Sequence, residues 1–539
     1  MKSNNTRTYG AGAAILAWLF LHLLFTINFP GAVQSTAKML IPVLEVWALM
    51  AVLCIAGNRQ KPLTTPLYLP LLLIYWFFLL FHLADALVPN YFNRPFNLYL
   101  DIAYVPDLTH LLIHSFSKLQ CLLYTGLAVV IALFFTVGLR LAFSAAQGAF
   151  RREEVRKGFW FLTIIQTVLA SLYLSGQWPA HWPPPVKAVT PRLIEELAFI
   201  GRIDQIKKQG LNAVAAHKEP AFPAPLARLN STDVHIFIIE SYGYALFDDP
   251  RYQPHMAPHI SAFDDALSAA GYAACSGVLD SPTLGGRSWL AFGSLESGVW
   301  LPDQLRYNFV LTSDVRPLAD YFNQAGYRTV SVMPGTTKPW PEGGYFRYAK
   351  TYYAKDLNYK GPKFGWSPMP DQFVLDTIYR KELVEKDRPL FIRYVLTSSH
   401  ASFHRQPKYL DDWSRIGNGA VFHRVPPQTY PINWPDLSNA VEAYMRSIRY
   451  DLTVLKSYLI DNLPQQALII IIGDHQPNTQ LVGHNAEHWV PIHMISRDRN
   501  LLAPFLKMGY TPGMHPKPRP PVQRMHTFRT DLFRAFSKP

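Results

Sequence analysis

The stretch ALIIIIGDHQP, residues 467–477, decides the fold of the second half of the chain. Six apolar residues, most of them β-branched, lead into a glycine and the polar pair Asp474 and His475. An apolar run this short is typical of a strand that is buried on both faces of a parallel sheet. The same character recurs in VHIFIIE (234–240), RTVSVM (328–333) and PLFIRYVLTSS (389–399). Helical patterns at about 258–270, 371–385 and 437–463 alternate with these runs, so residues 231–539 are predicted to form an α/β domain with a largely parallel sheet.

Polar residues close the predicted strands. Glu240 ends the first run, residues 398–400 (Ser, Ser and His400) end the third, and Asp474 and His475 end the last. The carboxyl ends of parallel strands share one edge of the sheet, and ligands gather there. Each residue alone also suits a structural role such as a helix cap, but together they predict a functional site. Glu, Asp and His with a hydroxyl oxygen form a ligand set suited to a divalent metal, Zn²⁺ or Mn²⁺.

The hydroxyl of this site is predicted at Thr283, in the small-residue turn SPTLGGRSW (281–289). A threonine hydroxyl is a poor nucleophile at neutral pH, and a bound divalent cation favours its alkoxide while offsetting charge on a phosphoryl oxygen. The glycines beside Thr283 would let an anionic phosphate approach the backbone closely.

The first third of the chain has a different character, with apolar segments of membrane-crossing length. Five are predicted: Gly10 to Phe29, Met39 to Ala56, Leu67 to Leu87, Leu119 to Leu139 and Gly158 to Leu174. A cleaved signal peptide is the alternative for the first segment, but four more segments follow it. Glu45, inside the second segment, is expected to face other helices rather than lipid. Residues 1–176 are therefore predicted to be a five-helix transmembrane domain.

Basic residues predict the orientation of these helices. The chain has 539 residues, is 49% hydrophobic and carries a formal net charge of +13. With the amino terminus in the cytoplasm, nine lysines and arginines lie in inside segments (2, 7, 59, 61, 140, 151, 152, 156 and 157) and three outside (38, 94 and 118). This bias follows the positive-inside rule, so five spans place everything after residue 174 outside the cytoplasm. Because much of the basic excess reflects topology, no nucleic-acid partner is expected.

Two segments connect the predicted parts. Residues 177–230 are Pro-rich around one amphipathic pattern, Arg192 to Gln209, and are predicted to be a linker. Residues 96–117 are too interrupted by Asp and Pro to cross a membrane, and suit either a helix pair in the outer interface or a plain loop. Two of the three cysteines fall in apolar runs, so Cys275 alone remains for the soluble part and no disulfide framework is available there.

These residues resemble the alkaline phosphatase and sulfatase superfamily, in particular its membrane-anchored branch. That branch contains lipoteichoic acid synthases, other phosphoglycerol transferases and lipid A phosphoethanolamine transferases. The resemblance covers nearly the whole chain and implies a five-helix membrane domain followed by an α/β sulfatase-like extracytoplasmic domain. IIESYG is similar to the metal-binding glutamate motif, at Glu240, and GDHQP to the Asp-His metal pair, at Asp474 and His475. SPTLGGRS is similar to the nucleophile motif, which implies that Thr283 becomes covalently modified and ligates the metal.

The resemblance also suggests residues on the substrate side. SSHASFH favours His400, and the H-x-x-P context of residues 488–491 favours His488 for phosphoryl oxygens or proton transfer, with His484 as a competing candidate. The segment PGTTKPWPEGGYFR (334–347) retains a tryptophan, Trp340, that holds glycerol phosphate in lipoteichoic acid synthases. Other substrate-binding candidates are Arg287, Lys338 and Arg347, although Lys338 and Arg347 are equally consistent with solvated surface charges.

Sulfatases carry Cys or Ser in C/S-x-P-x-R and convert it to formylglycine. Here the same frame reads Thr283-Leu-Gly-Gly-Arg287, and threonine cannot give that aldehyde. The resemblance therefore implies a phosphotransferase in a bacterial inner membrane, multi-pass, with its catalytic domain on the periplasmic side. The expected reaction moves phosphoglycerol or phosphoethanolamine from a phospholipid donor to a glycan or lipid acceptor through a covalent threonine intermediate. A phosphodiesterase or phosphatase that uses water is one alternative, and a membrane protein that retains only the fold is another.

Overall fold

The computed structural model describes residues 9–26, 43–58, 65–115, 117–177, 179, 189–217, 221–433, 437, 439–463 and 466–537. They fall into two compact units. The first comprises residues 1–90 and 94–203, and the second residues 91–93 and 204–539. The predicted division at residues 176 and 230 stays a prediction.

The described residues of the first unit are mostly helical, with short turns between the helices. Its helices are α1 (Ala11–Leu24), α2 (Leu44–Asn58), α3 (Thr65–Phe92), α4 (Leu98–Asp101), α5 (Val105–Ser115), α6 (Lys118–Ala149), α7 (Glu153–Leu174) and α8 (Val189–Gly201). The helices α4 and α5 occupy the segment 96–117, in accordance with the helix-pair interpretation. Their position in a membrane interface stays a prediction.

Each of the five predicted spans overlaps one helix, but the helices differ in how well they suit a bilayer. Among the described residues, two are long and apolar enough to cross one: Tyr68–Phe92, with a mean hydropathy of 2.1, and Lys118–Ala149, with 2.3. The helices α1 and α2 are apolar but shorter, and α7 begins with the two acidic residues Glu153 and Glu154. The two long helices indicate membrane association, whereas the count of five spans stays a prediction.

Helix α8, predicted as part of the linker, belongs to the first unit. The backbone amide and hydroxyl of Thr190 donate to Glu45 Oε1 at 2.6 and 2.7 Å. Arg192 lies 3.3 Å from Asp85 and 2.6 Å from Glu196. The carboxylate of Glu45 is thus paired with another helix, as expected for an acidic group in an apolar segment.

The second unit is an α/β domain with a nine-stranded sheet. Its strands are β1 (Asp233–Ile239), β2 (Ala273–Asp280), β3 (Arg328–Met333), β4 (Lys350–Tyr353), β5 (Leu390–Leu396), β8 (Ala467–Gly473), β9 (Trp489–Ser496), β10 (Thr511–Pro512) and β11 (Gln523–Arg524). The strand order is β10-β2-β9-β8-β1-β5-β3-β4, and β11 pairs with β2. A separate hairpin consists of β6 (Arg405–Gln406) and β7 (Gln428–Thr429).

The sheet is mixed, yet its main strands point the same way. β8, β1, β5, β3 and β4 are parallel neighbours. β9 runs antiparallel to both β8 and β2, so β2 has the direction of β8. The carboxyl ends of β1, β2, β5 and β8 consequently lie along one side of the sheet, called the carboxyl edge below.

Helices cover both faces of this sheet. They are α9 (Ile203–Ala215), α10 (Ala245–Asp248), α11 (Gln253–Ala269), α12 (Ser288–Ser297), α13 (Gln304–Leu311), α14 (Leu318–Gln324), α15 (Asp371–Ile378), α16 (Val441–Asp461), α17 (Thr479–Val482), α18 (Ala503–Lys507) and α19 (Phe528–Phe536). The side chains of β1 lie alternately on the two faces of the sheet, because successive side chains of a strand point in opposite directions. Phe237 and Ile239 pack in the core with α11 and α16, whereas Ile236 and Ile238 pack in the core with α12, α14 and α19.

The four predicted strands are present, and the predicted helices differ in detail. The helix predicted at 258–270 is α11, which begins earlier, at Gln253. The helix predicted at 371–385 is α15, which ends at Ile378 and continues as one π-helical turn, Tyr379–Leu383. The third is shorter, Val441–Asp461. The sequence predicts none of β2, β4, β9, β10 and β11, nor the β6–β7 hairpin.

Candidate active site

Three buried side chains meet at the carboxyl edge. Glu240 follows β1 directly, and Asp474 and His475 follow β8; their exposed fractions are 5%, 1% and 1%. One ligand atom from each lies within 4.8 Å of the others. The predicted set of two carboxylates and an imidazole is thus brought together, and we call it the acidic cluster.

Hydrogen bonds orient the acidic cluster for a cation. Asp474 Oδ1 accepts the amides of Ser241 and His475 at 2.8 and 2.7 Å. Asp474 Oδ2 is buried and accepts no hydrogen bond from the part of the chain that is described. His475 Nδ1 donates to the carbonyl of Gln476 at 2.7 Å, so Nε2 is the ring nitrogen that faces Glu240 Oε1, 3.2 Å away. Two buried carboxylates that face one imidazole nitrogen, at 3.2 and 3.5 Å, fit a divalent cation in place of the proton between them.

The pKa values in the acidic cluster reflect the crowding of negative charge. Burial and the neighbouring Glu240 raise the pKa of Asp474 to about 7. Burial disfavours the charged form of His475 and so lowers its pKa. The negative charges of Asp474 and Glu240 have a larger effect in the opposite direction, and they raise the pKa of the imidazole to about 9. Burial likewise opposes ionisation of Glu240, yet the adjacent His400 and His475 hold its pKa below the usual range. The cluster therefore attracts positive charge, which a proton or a metal ion can supply.

Ser288 supplies a hydroxyl to this cluster. Its Oγ donates to Glu240 Oε2 at 3.1 Å and lies 3.3 Å from His475 Nε2. Ser288 is the first residue of α12, where the free amides of a helix terminus favour an anionic group. The preceding Arg287 has a φ of 62°, in the left-handed region, and this turn aims the start of α12 at the carboxyl edge.

Thr283, the predicted nucleophile, has a different environment. It is fully buried, and its Oγ1 donates to the carbonyl of Gly286 at 2.6 Å. Its amide donates to Ser281 Oγ at 3.4 Å. Within the described residues, the hydrogen bonds of Thr283 do not include one to the acidic cluster. The structure thus assigns Thr283 to the turn before α12 and brings Ser288, which the sequence interpretation missed, to the cluster.

Two predicted histidines lie near the cluster. His400 follows β5 and lies close enough to Glu240 to lower the pKa of that carboxyl. His400 Nδ1 donates to the carbonyl of Ala401 at 2.7 Å. The carbonyl of His488 accepts the amide of Ser281 at 3.0 Å. Burial, together with the nearby Arg287, lowers the pKa of His488, so this ring is neutral at neutral pH.

The remaining substrate candidates divide between the two edges of the sheet. Lys338, exposed, and Trp340, stacked on Phe346 at 5.5 Å, follow β3 at the carboxyl edge. His484 is exposed in the segment between α17 and β9. Arg347, by contrast, precedes β4 and so lies at the opposite edge.

The contacts of Arg347 explain why it lies far from the cluster. Its carbonyl accepts from Asn323, and its guanidinium lies 3.3 Å from Asp320. Both partners belong to α14. The prediction that Arg347 binds substrate at this site is therefore not supported by its position.

Protons and a metal ion should compete for His475. Because the pKa of this imidazole is raised to about 9, a proton occupies Nε2 below that pH in the metal-free protein. We expect the Kd for Zn²⁺ or Mn²⁺ to rise about tenfold for each pH unit between about 9 and 7, since binding displaces the proton of His475, and more steeply below about 7, where Asp474 also holds a proton. Equilibrium titration of the metal-free full chain in detergent at several pH values measures this, and an affinity that is constant across neutral and mildly acidic pH would contradict it.

Comparison with known proteins finds a family match within the second unit. Residues 234–494 match the Sulfatase family, and no curated protein matches the chain.

Among solved structures, the lipoteichoic acid synthase LtaP from Listeria monocytogenes is 11% identical, with a TM-score of 0.33 over 53% of this chain and 71% of that one. The C-terminal periplasmic domain of EptC from Escherichia coli is 16% identical, with a TM-score of 0.37 over 59% and 86%. The phosphoglycerol transferase GacH from Streptococcus pyogenes is 13% identical, with a TM-score of 0.37 over 63% and 82%. The part of the chain that is similar to the Sulfatase family thus begins in β1 and ends in β9.

Proposed function

We propose that this chain is a metal-dependent phosphotransferase that moves a phosphorylated headgroup from a membrane phospholipid to an extracytoplasmic glycan or lipid acceptor. The observation that carries the proposal is the hydroxyl of Ser288, which contacts Glu240 and His475 at the start of α12. This hydroxyl lies in a domain that is similar to the Sulfatase family, in a chain that also has two helices of membrane-crossing length. A lipid donor explains why such a domain is attached to membrane helices.

In this proposal Glu240, Asp474 and His475 hold the metal. A divalent cation there would favour the alkoxide of the attacking hydroxyl and offset charge on the phosphoryl oxygens. The acidic cluster itself fixes the attacking oxygen by two contacts, so little reorganisation is needed before attack. Zn²⁺ and Mn²⁺ both suit the mixed oxygen and nitrogen ligands.

The chemical steps follow from these positions. The Oγ of Ser288 forms a bond to phosphorus, and the bond from phosphorus to the diacylglycerol oxygen breaks. In its protonated form the imidazole of His400 gives its proton to that oxygen, and the neutral ring of His488 donates a hydrogen bond to a phosphoryl oxygen. In the second step an acceptor hydroxyl loses its proton to the same imidazole and attacks phosphorus, and the Oγ of Ser288 leaves. The positions of Lys338 and Trp340 at the carboxyl edge suit contacts with the headgroup.

Sulfate-ester hydrolysis through formylglycine is disfavoured for both hydroxyls. The frame that begins at Thr283 keeps the arginine of C/S-x-P-x-R but lacks its proline, and the frame Ser288-Trp-Leu-Ala-Phe292 lacks both. We therefore propose an unmodified hydroxyl and a phosphoester intermediate. Phosphoglycerol is the first candidate for the headgroup and phosphoethanolamine the second, and we place the domain on the periplasmic side of a bacterial inner membrane.

Diacylglycerol release by the purified full chain tests the function. We expect release from phosphatidylglycerol or phosphatidylethanolamine to stop with a chelator and to resume with Zn²⁺ or Mn²⁺. The variant Asp474→Asn should lose about 10²-fold or more in activity, because it removes a metal ligand. Asp376→Asn, on α15 and paired with Arg380, is the matched control and should retain activity.

The fate of the headgroup separates transfer from hydrolysis. With a glycan or lipid acceptor present, we expect the labelled headgroup on the acceptor. Headgroup that appears only in free form would favour a hydrolase, and intact donor lipid under all metal conditions would contradict the proposed function.

A further inference from the structure

A second polar site lies in the α/β domain, apart from the acidic cluster. A cavity of about 340 Å³ is bounded by the β6–β7 hairpin, α11 and α16. We call it the basic pocket, because its lining includes Lys408, Arg446, Arg449 and His259. Small-ligand sites in proteins begin at about this volume.

The charged side chains that line the basic pocket are all positive. Three permanent cations line it, and none of its lining residues is acidic. The nearby Glu442 pairs with both arginines through one oxygen, Oε1, at 2.6 Å from Arg446 and 3.7 Å from Arg449. One carboxylate shared by two guanidinium groups leaves the wall of the pocket positive.

Neighbouring groups hold both guanidinium groups in place. Arg446 donates to the hydroxyl of Tyr430 at 2.9 Å and lies over that ring, 4.7 Å from its centre. Arg449 donates to the carbonyl of His255 at 3.1 Å. The Nε of Arg449 is buried and has no hydrogen-bond partner in the described part of the chain. The contacts with Tyr430 and His255 position both guanidinium groups beside the pocket before a ligand binds.

We propose that the basic pocket binds the phosphate group of a small polyol or sugar phosphate. Guanidinium groups recognise phosphate oxygens through charge-assisted hydrogen bonds, and here they are already positioned. Tyr409 and Tyr450 also line the cavity, and aromatic rings with a polar edge suit the hydroxylated body of such a ligand. None of the lining residues belongs to the acidic cluster, so this site is separate from the metal centre and does not depend on the proposed function.

Calorimetric titration of the full chain in detergent with glycerol phosphate tests the site. A chelator in the buffer prevents the ester from binding at a metal in the acidic cluster. We expect saturable binding of glycerol phosphate and none of glycerol. Arg449→Gln should raise the Kd by at least about tenfold, because it removes charge-assisted bonds to phosphate.

Two further variants guard against a folding defect. Lys408→Gln changes an exposed side chain of the pocket wall and should also weaken binding. Arg380→Gln changes an exposed arginine outside the pocket and should leave the Kd unchanged. Equal affinity in the native protein and both pocket variants would overturn the proposal.

The source of the phosphate is tested by competition. Micelles that contain phosphatidylglycerol should not displace glycerol phosphate if the pocket takes a small soluble ester. Displacement that depends on Arg449 would overturn the assignment to a small ligand and point to a lipid headgroup.

Discussion

Replacement of Ser288 by alanine is expected to lower kcat for headgroup release by about a thousandfold or more, with the metal still bound. The hydroxyl of Ser288 contacts both Glu240 and His475, and loss of an attacking nucleophile typically has an effect of this size. Glu240, Asp474 and His475 remain in the variant, so metal content should be nearly unchanged. Activity assays with elemental analysis of the same samples measure both quantities.

Thr283→Val provides the matched control, because it removes a hydroxyl of the same loop and keeps the shape of the side chain. The hydroxyl of Thr283 donates to the carbonyl of Gly286, so its removal should cost about 1 kcal/mol of stability and change activity by less than about tenfold. Full activity in Ser288→Ala combined with loss in Thr283→Val would show that the attacking group is Thr283, as the motif resemblance implied.

Replacement of Arg393 by methionine is expected to cause a large loss of stability in the α/β domain. Arg393 on β5 and Glu296 near the end of α12 form an ion pair in which each side chain is 1% exposed. Arg393 also donates to Ser331, and Tyr348 donates to Glu296. The variant leaves Glu296 buried without its cation, and breaking such a pair costs about 3–5 kcal/mol of the free energy of unfolding.

Thermal and denaturant unfolding of the full chain in detergent measures this loss. Arg380→Met removes one side of an exposed pair, in which the arginine is 51% exposed, and should cost less than about 1 kcal/mol. The double variant Glu296→Gln, Arg393→Met should lose less than the sum of the single variants, because no unpaired charge remains. Equal losses in Arg393→Met and Arg380→Met would contradict the assignment. Since α12 also begins with Ser288, we expect Arg393→Met to lower activity as well.

The sheet could be predicted from sequence only where apolar runs are strong. β1 and β8 are central strands with aliphatic and aromatic side chains buried on both faces, so periodicity and β-branched content both identify them. β2 has the sequence AACSGVLD, whose small residues carry no strand signal. It forms because β9, β10 and β11 pair with it, and such pairing is a tertiary effect that a local pattern does not reveal.

The residues of the candidate active site could likewise be predicted only where a strong local pattern precedes them. Glu240, Asp474 and His475 directly follow strong strands, so their convergence could be predicted. Ser288 could not be ranked above Thr283 in this way, because its position depends on the left-handed turn at Arg287 and on where α12 begins. The signal that could have identified it is a serine at the predicted start of a helix, directly after a glycine-rich turn.

Arg347 shows the limit of a motif that lacks topology. It lies within the segment that resembles a headgroup-binding motif, but three residues later the chain enters β4, which is parallel to β3. That turn of the chain takes Arg347 to the amino ends of the strands, away from the acidic cluster. A motif match alone does not reveal at which edge of a sheet each of its residues lies.

The most direct test of a metal-assisted hydroxyl nucleophile is peptide mass spectrometry of the full chain after incubation with phosphatidylglycerol without an acceptor. Trypsin cleaves after Arg287, so Thr283 and Ser288 fall on different peptides, residues 252–287 and 288–306. We predict a phosphoglycerol adduct on Ser288 that forms with Zn²⁺ or Mn²⁺ and not with a chelator. An adduct confined to the peptide that contains Thr283, or donor lipid consumed with neither peptide modified, would contradict it.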